Sequence, residues 1–256
     1  MYSKIQLELL SSLLQELQNS IKSTVLEKKI GIAFSGGVDS TLLAKLCLDL
    51  GYEIALLTIG FEDSHDILFS KKVNEKMKLT HKILEIDKDT FSEISLKIKD
   101  EIKTDNLSWN ENCIAFYYVS KLANQLKIDT VVTANGIDEL FCGYNAYRDA
   151  IKEGEQKVQE LMNSKLENEL KMMKAVNQVS SQFNVDILQP FLSQNFVSFA
   201  KEIPINEKIK NSDDLQRKHI IRRVASEIRV PEMSATKRKK ALQYGSLIHK
   251  TLIKSR

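Results

Sequence analysis

The chain has 256 residues, of which 43% are hydrophobic and 28% charged, a composition typical of a globular protein with one large domain or two small ones. No apolar run approaches the roughly 18 residues that cross a bilayer, and Glu8 and Glu16 interrupt the apolar N-terminal positions, so we expect neither a membrane span nor a signal peptide. The cysteines are too few and scattered for a disulfide framework or a Cys-x-x-Cys site, which favours a cytoplasmic protein (Cys47, Cys113 and Cys142).

The net charge of +3 is unevenly distributed along the chain. The segment from Leu215 to Arg256 contains 12 of the 37 Lys and Arg residues but only 2 of the 34 Asp and Glu residues. Such a basic segment suits nucleotide phosphates, RNA phosphates or a solvated surface, and composition alone does not separate these interpretations.

The first elements are a helix, a strand and a glycine turn. Apolar residues at helical spacing from Ile5 to Val25 predict an amphipathic helix over residues 3–27. A short apolar run, Ile30 to Phe34, then leads through a glycine turn into a second helix, which Gly51 ends.

The turn from Ser35 to Ser40 (Ser-Gly-Gly-Val-Asp-Ser) has the properties of a phosphate-binding loop. Its glycines allow close approach of a ligand to the backbone, and the N–H groups that open the following helix carry partial positive charge. Asp39 would repel a phosphate unless Mg²⁺ lay between them. The spacing is that of neither a Walker A loop nor Gly-x-Gly-x-x-Gly. The alternative is a simple turn of small residues between a strand and a helix.

Strand-like and helical segments alternate up to residue 134, which predicts a parallel sheet with helices on both faces. Ligands of such sheets bind at the carboxyl ends of the strands. After the first strand, the predicted strands are 53–59, 81–86 and 130–134, and the predicted helices are 64–78, 89–103 and 110–127.

The last of these strands runs into Asn135-Gly136-Ile137-Asp138-Glu139. This turn lies on the same rim of the sheet as the first glycine turn, so Asp138 is a candidate second carboxylate for Mg²⁺. The alternative is an ordinary helix start, where the helix dipole favours acidic residues.

The remainder is predicted to be helical. Residues 145–180 are rich in Lys, Glu, Gln and Asn, and we interpret them as exposed helices without a site. A later helix is predicted from Ser212-Asp213 to Arg229, with Lys218 inside it and Pro231 ending it.

The hexamer Ser35–Ser40 resembles the PP-loop of the ATP pyrophosphatases, which cleave ATP between its α- and β-phosphates. The order of motifs along residues 20–250 resembles the synthetase domain of glutamine-dependent asparagine synthetase and its relatives, including β-lactam synthetase. The motifs are the PP-loop, Gly136 to Tyr144, Pro190-Phe191-Leu192, Lys218 to Arg222, and Lys239 six residues before Gly245.

This resemblance implies one synthetase domain over residues 1–256. Its parts would be an N-terminal helix (1–28), an α/β nucleotide-binding core (29–144) and a helical C-terminal part (145–256). The resemblance implies a five-stranded parallel sheet with flanking helices. It also implies ATP and Mg²⁺, adenylation of a carboxylate (aspartate by analogy) with release of pyrophosphate, and displacement of AMP by ammonia or another amine.

The resemblance assigns residues as well. Lys218 matches the lysine that stabilises charge during adenylation and amide formation; the alternative is an exposed helix lysine. Lys239 is expected to face pyrophosphate, and Asp39 and Asp138 to bind Mg²⁺. Expected nucleotide contacts are Ser35, Gly36, Gly37, Val38, Asp39 and Ser40 in the PP-loop and Ala33, Ile59, Thr133 and Ala134 along the nucleoside.

Three departures from the family pattern leave the substrates open. The chain begins with a helix and offers no N-terminal cysteine nucleophile of a glutaminase domain, so we expect ammonia to come directly or from a separate glutaminase subunit. Asn135 replaces the glutamate associated with deprotonating the nucleophile, and a neutral amide is not a general base. Leu188 and Ser193 replace the arginine and aspartate that flank Pro-Phe-Leu.

Two rival functions stay open. One is a PP-loop enzyme that modifies RNA, for which the basic C-terminal segment would bind phosphates; the missing Cys-x-x-Cys and the motifs after residue 130 argue against it. The other is a non-catalytic nucleotide-binding subunit, for which Asn135 is the best support.

Overall fold

The computed structural model describes residues 4–237 and 242–254. Its centre is one sheet with the strand order β3-β2-β1-β4-β5, and every pairing is parallel, so the predicted α/β fold is confirmed. The strands are β1 (Lys29–Ala33), β2 (Glu53–Gly60), β3 (Thr80–Glu85), β4 (Thr130–Val132) and β5 (Asp186–Leu188).

Helices flank this sheet, and a 3-10 turn at Pro190–Leu192 follows β5. In chain order the helices are α1 (Lys4–Thr24), α2 (Val38–Asp49), α3 (His65–Met77), α4 (Lys88–Ile102), α5 (Leu107–Gln125), α6 (Ile137–Leu140), α7 (Ala146–Glu153), α8 (Glu155–Ser181), α9 (Gln194–Glu202), α10 (Ile205–Lys208), α11 (His219–Glu227), α12 (Glu232–Ala235), α13 (Leu242–Gly245) and α14 (Ile248–Lys254).

Strand β2 shows why the sheet is buried on both faces. Ile54 and Leu56 pack into the core on one face, which includes side chains of α1 and α2. Leu57 and Ile59 pack into the core on the other face, with side chains of α5 and α14. An apolar run such as Glu53–Gly60, rather than strict alternation, is what burial on two faces requires.

Strand order reverses between β1 and β4. β2 and β3 extend the sheet on one side of β1, and β5 extends it on the far side of β4. Loops that leave the carboxyl ends of β1 and β4 therefore diverge and leave a crevice between them, which is the usual ligand site of parallel sheets.

The C-terminal half corrects two predictions. Helix α8 is not an exposed helix without a site, because an apolar stripe with Val158, Met162 and Leu166 is buried in the core and other α8 side chains reach the crevice. The helix predicted from Ser212 begins instead at His219, because Asp214 ties up backbone N–H groups of the preceding loop.

Strand β5 lies in the part that is predicted to be helical (145–256), so the sheet extends beyond the predicted core of 29–144. A fifth strand is expected only from the family resemblance, since three residues before a proline-containing segment carry too little pattern to identify a strand. None of the helices within the described residues is both long enough and apolar enough for a membrane span.

Candidate active site

A cavity of about 260 Å³ lies at the carboxyl ends of β1 and β4. The PP-loop, the loop after β4, α5, α8 and Lys218 form its walls. Of the predicted site residues, those that line it are Ala33, Ser35, Gly37, Val38, Asp39, Ser40, Ile59, Thr133, Ala134, Asp138 and Lys218.

Within residues 4–237 and 242–254, one predicted site residue is not among the lining residues. Gly36 is buried with a φ of +76° and faces α3, where a Cβ would lie 3.0 Å from the Phe69 ring and 3.2 Å from the Ser70 backbone. Glycine is therefore needed there for conformation and close packing. Lys239 lies outside the described residues.

The PP-loop is closed by hydrogen bonds among its own residues. Ser40 Oγ accepts from the Ser35 backbone N–H at 3.3 Å and donates to the Gly37 carbonyl at 3.3 Å. Thr41 Oγ1 donates to the same carbonyl at 2.8 Å. Helix α2 begins at Val38 with no side-chain cap, and its first residues, Val38 to Ser40, line the cavity. The uncapped N–H groups of a helix start are suited to bind an anion.

The ammonium group of Lys218 lies between the two carboxylates that are the predicted metal ligands. Its Nζ is 2.5 Å from Asp39 Oδ2 and 2.5 Å from Asp138 Oδ1. The Lys218 side chain is 2% exposed, against 21% for Asp39 and 17% for Asp138. Burial lowers the pKa of Lys218, and the Asp39 carboxylate opposes that shift. The alternative of an exposed helix lysine is therefore wrong.

The backbone at Lys218 adopts an unfavourable conformation. Arg217 and Lys218 have φ angles of 46° and 53°, in the left-handed region that costs a non-glycine residue about 1–2 kcal/mol. The Arg222 guanidinium donates to the carbonyls of Gln216 and Arg217, each at 2.9 Å. Asp214 accepts from the N–H groups of the same two residues at 3.0 and 2.9 Å. These contacts hold the strained peptide that directs Lys218 to the aspartates.

Gly143 makes room for the ion pair. A Cβ at this position would overlap the Asp138 carboxylate and Lys218 Cε. The Gly143 carbonyl also accepts a hydrogen bond from Arg217 Nη2 at 3.1 Å, which ties this turn to the Lys218 loop.

The carboxylates fit a Mg²⁺ ion that is shared with a phosphate chain. Asp39 Oδ1 is buried, and among residues 4–237 and 242–254 it has no hydrogen-bond partner. The same part of the chain contains no cluster of three or more His, Cys, Asp or Glu side chains able to hold a metal. Mg²⁺ commonly takes one or two carboxylates and completes its shell with water and phosphate oxygens. A cation bound there would share the carboxylates with Lys218.

A second pair of buried carboxyl groups lies beside the loop after β4. Asn135 accepts a hydrogen bond from Thr133 Oγ1, and its Nδ2 donates to Glu169 Oε1 at 2.5 Å. Glu139 accepts a hydrogen bond from the Tyr144 hydroxyl. Glu139 and Glu169 are 2% and 5% exposed.

Both of these glutamic acids have raised pKa values. Burial raises the pKa of Glu139, and repulsion from Glu169 raises it further. Burial also raises the pKa of Glu169, and the hydrogen bond from Asn135 partly opposes that shift. Carboxyl groups shifted toward neutral pH are suited to proton transfer, so this pair is a candidate for acid–base chemistry.

Sequence reasoning missed the contribution of α8. Lys165, Asn168, Glu169 and Met172 recur at helical spacing and line the cavity together. Most of these residues are of the same polar types as their neighbours in the segment, so composition does not single them out. One signal was available: Glu169 lies in register with the buried stripe, three residues after Leu166, where a surface helix carries an apolar residue.

Comparisons with known proteins agree with this geometry. The NMN synthetase of Francisella tularensis has a TM-score of 0.51 to this chain at 14% sequence identity, covering 95% of this chain and 78% of that one. At this identity the likeness concerns the fold alone, which is that of an α/β protein with a parallel sheet.

The family follows from the sequence match. The model of the asparagine synthase family matches residues 12–185 and 153–254, and the chain belongs to this family. A putative glutamine-hydrolyzing asparagine synthetase of Methanocaldococcus jannaschii is 29% identical over 266 residues, covering 90% of this chain and 49% of that protein. The Bos taurus glutamine-hydrolyzing asparagine synthetase is 24% identical, covering 80% and 37%. The chain thus spans half or less of the length of these relatives.

Proposed function

We propose that the chain is an ATP-dependent carbon–nitrogen ligase, which adenylates a carboxylate, aspartate by analogy, and transfers the acyl group to ammonia or another amine. The observation that carries this proposal is the buried Lys218 ammonium at 2.5 Å from Asp39 and Asp138, beside the PP-loop. A fixed cation in a shielded cleft stabilises charge that develops on phosphate groups.

In the first step, a carboxylate oxygen attacks the α-phosphorus of ATP, the bond from this phosphorus to the oxygen that bridges to the β-phosphate breaks, and pyrophosphate leaves. The N–H groups at the start of α2 and the Ser35 and Ser40 hydroxyls bind the β- and γ-phosphates. Lys218 balances charge on the leaving pyrophosphate. Asp39 and Asp138 would hold Mg²⁺, which neutralises phosphate charge when it is bound.

In the second step, the amine nitrogen attacks the acyl carbon, the carbon–oxygen bond to AMP breaks, and the nitrogen loses a proton. Asn135 is not basic, so another group must accept this proton. Glu169 is the proposed acceptor, because its carboxyl group is 2.5 Å from the Asn135 amide and lines the cavity. In this proposal, Asn135 does not take part in proton transfer itself. Its amide group orients the Glu169 carboxylate, which accepts the proton.

The proposal is tested by Mg²⁺-dependent exchange of labelled pyrophosphate into ATP, with a panel of carboxylic acids that includes aspartate. Exchange that depends on one acid is the expected result and identifies the carboxylate. Asp39→Asn should abolish it, while Lys45→Met, a change to a lysine of the same helix that pairs with Asp49, should leave it intact.

Absence of exchange with every acid would overturn the adenylation step. ATP binding without exchange would then favour a non-catalytic subunit, and salt-sensitive tRNA binding would favour an RNA-modifying enzyme. The nitrogen donor, free ammonia or ammonia from a separate glutaminase subunit, is read in a second assay of product formation.

A further inference from the structure

We propose that the cavity-facing side of α8, with Lys165 and Asn168, binds an anionic group, a carboxylate, of the non-nucleotide substrate. The inference rests on the proposed function, since it names a substrate subsite of the same cavity. Lys165, Asn168, Glu169 and Met172 are spaced at i, i+3, i+4 and i+7, which places them on one face of the helix. All four line the cavity.

Lys165 differs from two other lysines of α8. Lys157 and Lys171 pair with glutamates of the same helix at 3.3 and 2.6 Å. Within residues 4–237 and 242–254, no carboxylate lies within 4.0 Å of Lys165 Nζ, and its contact is the Tyr144 ring at 5.5 Å. This half-buried ammonium group therefore keeps hydrogen-bond donors available toward the cavity.

Asn168 adds a second donor with a defined orientation. Its Oδ1 accepts from Trp109 Nε1 at 3.0 Å. An indole nitrogen only donates, so this bond identifies the Asn168 oxygen and leaves the amide NH₂ as the free end. An ammonium and an amide NH₂ three residues apart on one helix face form a donor pair that suits a carboxylate.

The position of Lys165 relative to Glu169 sets the substrate class. Four residues of helix correspond to about 6 Å along its axis. An anionic group bound at Lys165 thus lies about one turn from the proposed proton acceptor. A substrate that carries an additional anionic group places that group at Lys165 while its reacting group lies nearer Glu169, whereas ammonia or a simple monocarboxylate has no group to place at Lys165.

The test measures binding directly, with Mg²⁺ and an ATP analogue that has a methylene group between its α- and β-phosphates. Saturation-transfer NMR compares succinate with butyrate for the acid and β-alanine with propylamine for the amine. The expected result is that succinate binds at least tenfold more tightly than butyrate, or that β-alanine binds at least tenfold more tightly than propylamine. Lys165→Met should weaken that probe roughly 10- to 100-fold, Lys165→Arg should restore it, and Lys171→Met should have no effect.

Dependence of succinate binding on Lys165 assigns the subsite to the acid, and dependence of β-alanine binding assigns it to the amine. If neither probe depends on Lys165, the subsite is refuted, whatever pyrophosphate exchange shows. Exchange without Lys165 dependence would support the ligase alone. Lys165-dependent binding without exchange would support the subsite and overturn the adenylation step.

Discussion

A divalent cation held by Asp39 and Asp138, as proposed above, would compete with Lys218 for the two carboxylates. The ammonium group is 2.5 Å from both Asp39 and Asp138, and a metal shared by these aspartates would have to displace or repel it. Replacing Lys218 by methionine removes the charged group and keeps an unbranched side chain that is shorter by one heavy atom. We expect the nucleotide-free Lys218→Met protein to bind Mn²⁺, a spectroscopic substitute for Mg²⁺, more tightly than the unmodified protein.

The size of this effect follows from the contacts that the lysine makes. A divalent cation and an ammonium group 5 Å apart at an effective dielectric constant of about 20 repel each other by roughly 7 kcal/mol. The lysine avoids part of this repulsion by swinging away, which costs about 1.5–3 kcal/mol for each charge-assisted hydrogen bond that it gives up. The expected gain in Mn²⁺ affinity is therefore roughly 10- to 100-fold.

Electron paramagnetic resonance of free Mn²⁺, measured during titration without nucleotide, reports this affinity independently of catalysis. Lys45→Met on α2 is the matched control and should leave Mn²⁺ affinity unchanged. Asp39→Asn should abolish tight binding in either background. Equal or weaker Mn²⁺ affinity in Lys218→Met, in a protein with an unchanged circular dichroism spectrum, would refute the competition.

Three further predictions concern the surroundings of this site. Glu169→Gln should leave pyrophosphate exchange intact and slow amide formation roughly 100-fold or more, with loss of the rise in rate at increasing pH; an equal loss in both assays would remove Glu169 from proton transfer. Arg222→Lys should lower kcat roughly 10- to 100-fold with little change in KM for ATP, because Lys218 moves. The matched change Arg223→Lys, which affects an ion pair with Glu207, should not. Burial raises the pKa of Glu139 from 4.5 to about 8. Between these two pH values the native state binds more protons than the unfolded state, so the melting temperature should fall as the pH rises from about 4.5 to about 8. Glu139→Gln should flatten this slope.

The fold was largely accessible from sequence because its signals are local. The first four strands are short apolar runs next to glycines or polar turns, and the helices between them have clear periodicity. The prediction of a helix from Ser212 is wrong because an aspartate such as Asp214 fits two local conformations. It can lie within a helix, or its carboxylate can accept hydrogen bonds from the backbone of a loop. Its bonds to the backbone of Gln216 and Arg217 favour the loop, and no local pattern distinguishes the two.

The residues of the candidate site likewise differ in how far local sequence signals predict them. The PP-loop and Asp138 follow strands that end at one rim, so topology alone brings them into one cavity. The family resemblance assigns Lys218 to the site, whereas its left-handed backbone depends on hydrogen bonds from Arg222 that form only in the folded chain.

Glu169 lies 34 positions after Asn135 in sequence, and only the packing of α8 against the loop after β4 brings the two side chains together. Although position 135 carries an amide, Glu169 still places a carboxyl group at this wall of the cavity. A buried glutamate that interrupts an apolar helical stripe is costly unless it is hydrogen-bonded. Asn135 supplies that hydrogen bond to Glu169. The asparagine that replaces the family's glutamate therefore stabilises the carboxyl group that is the proposed proton acceptor.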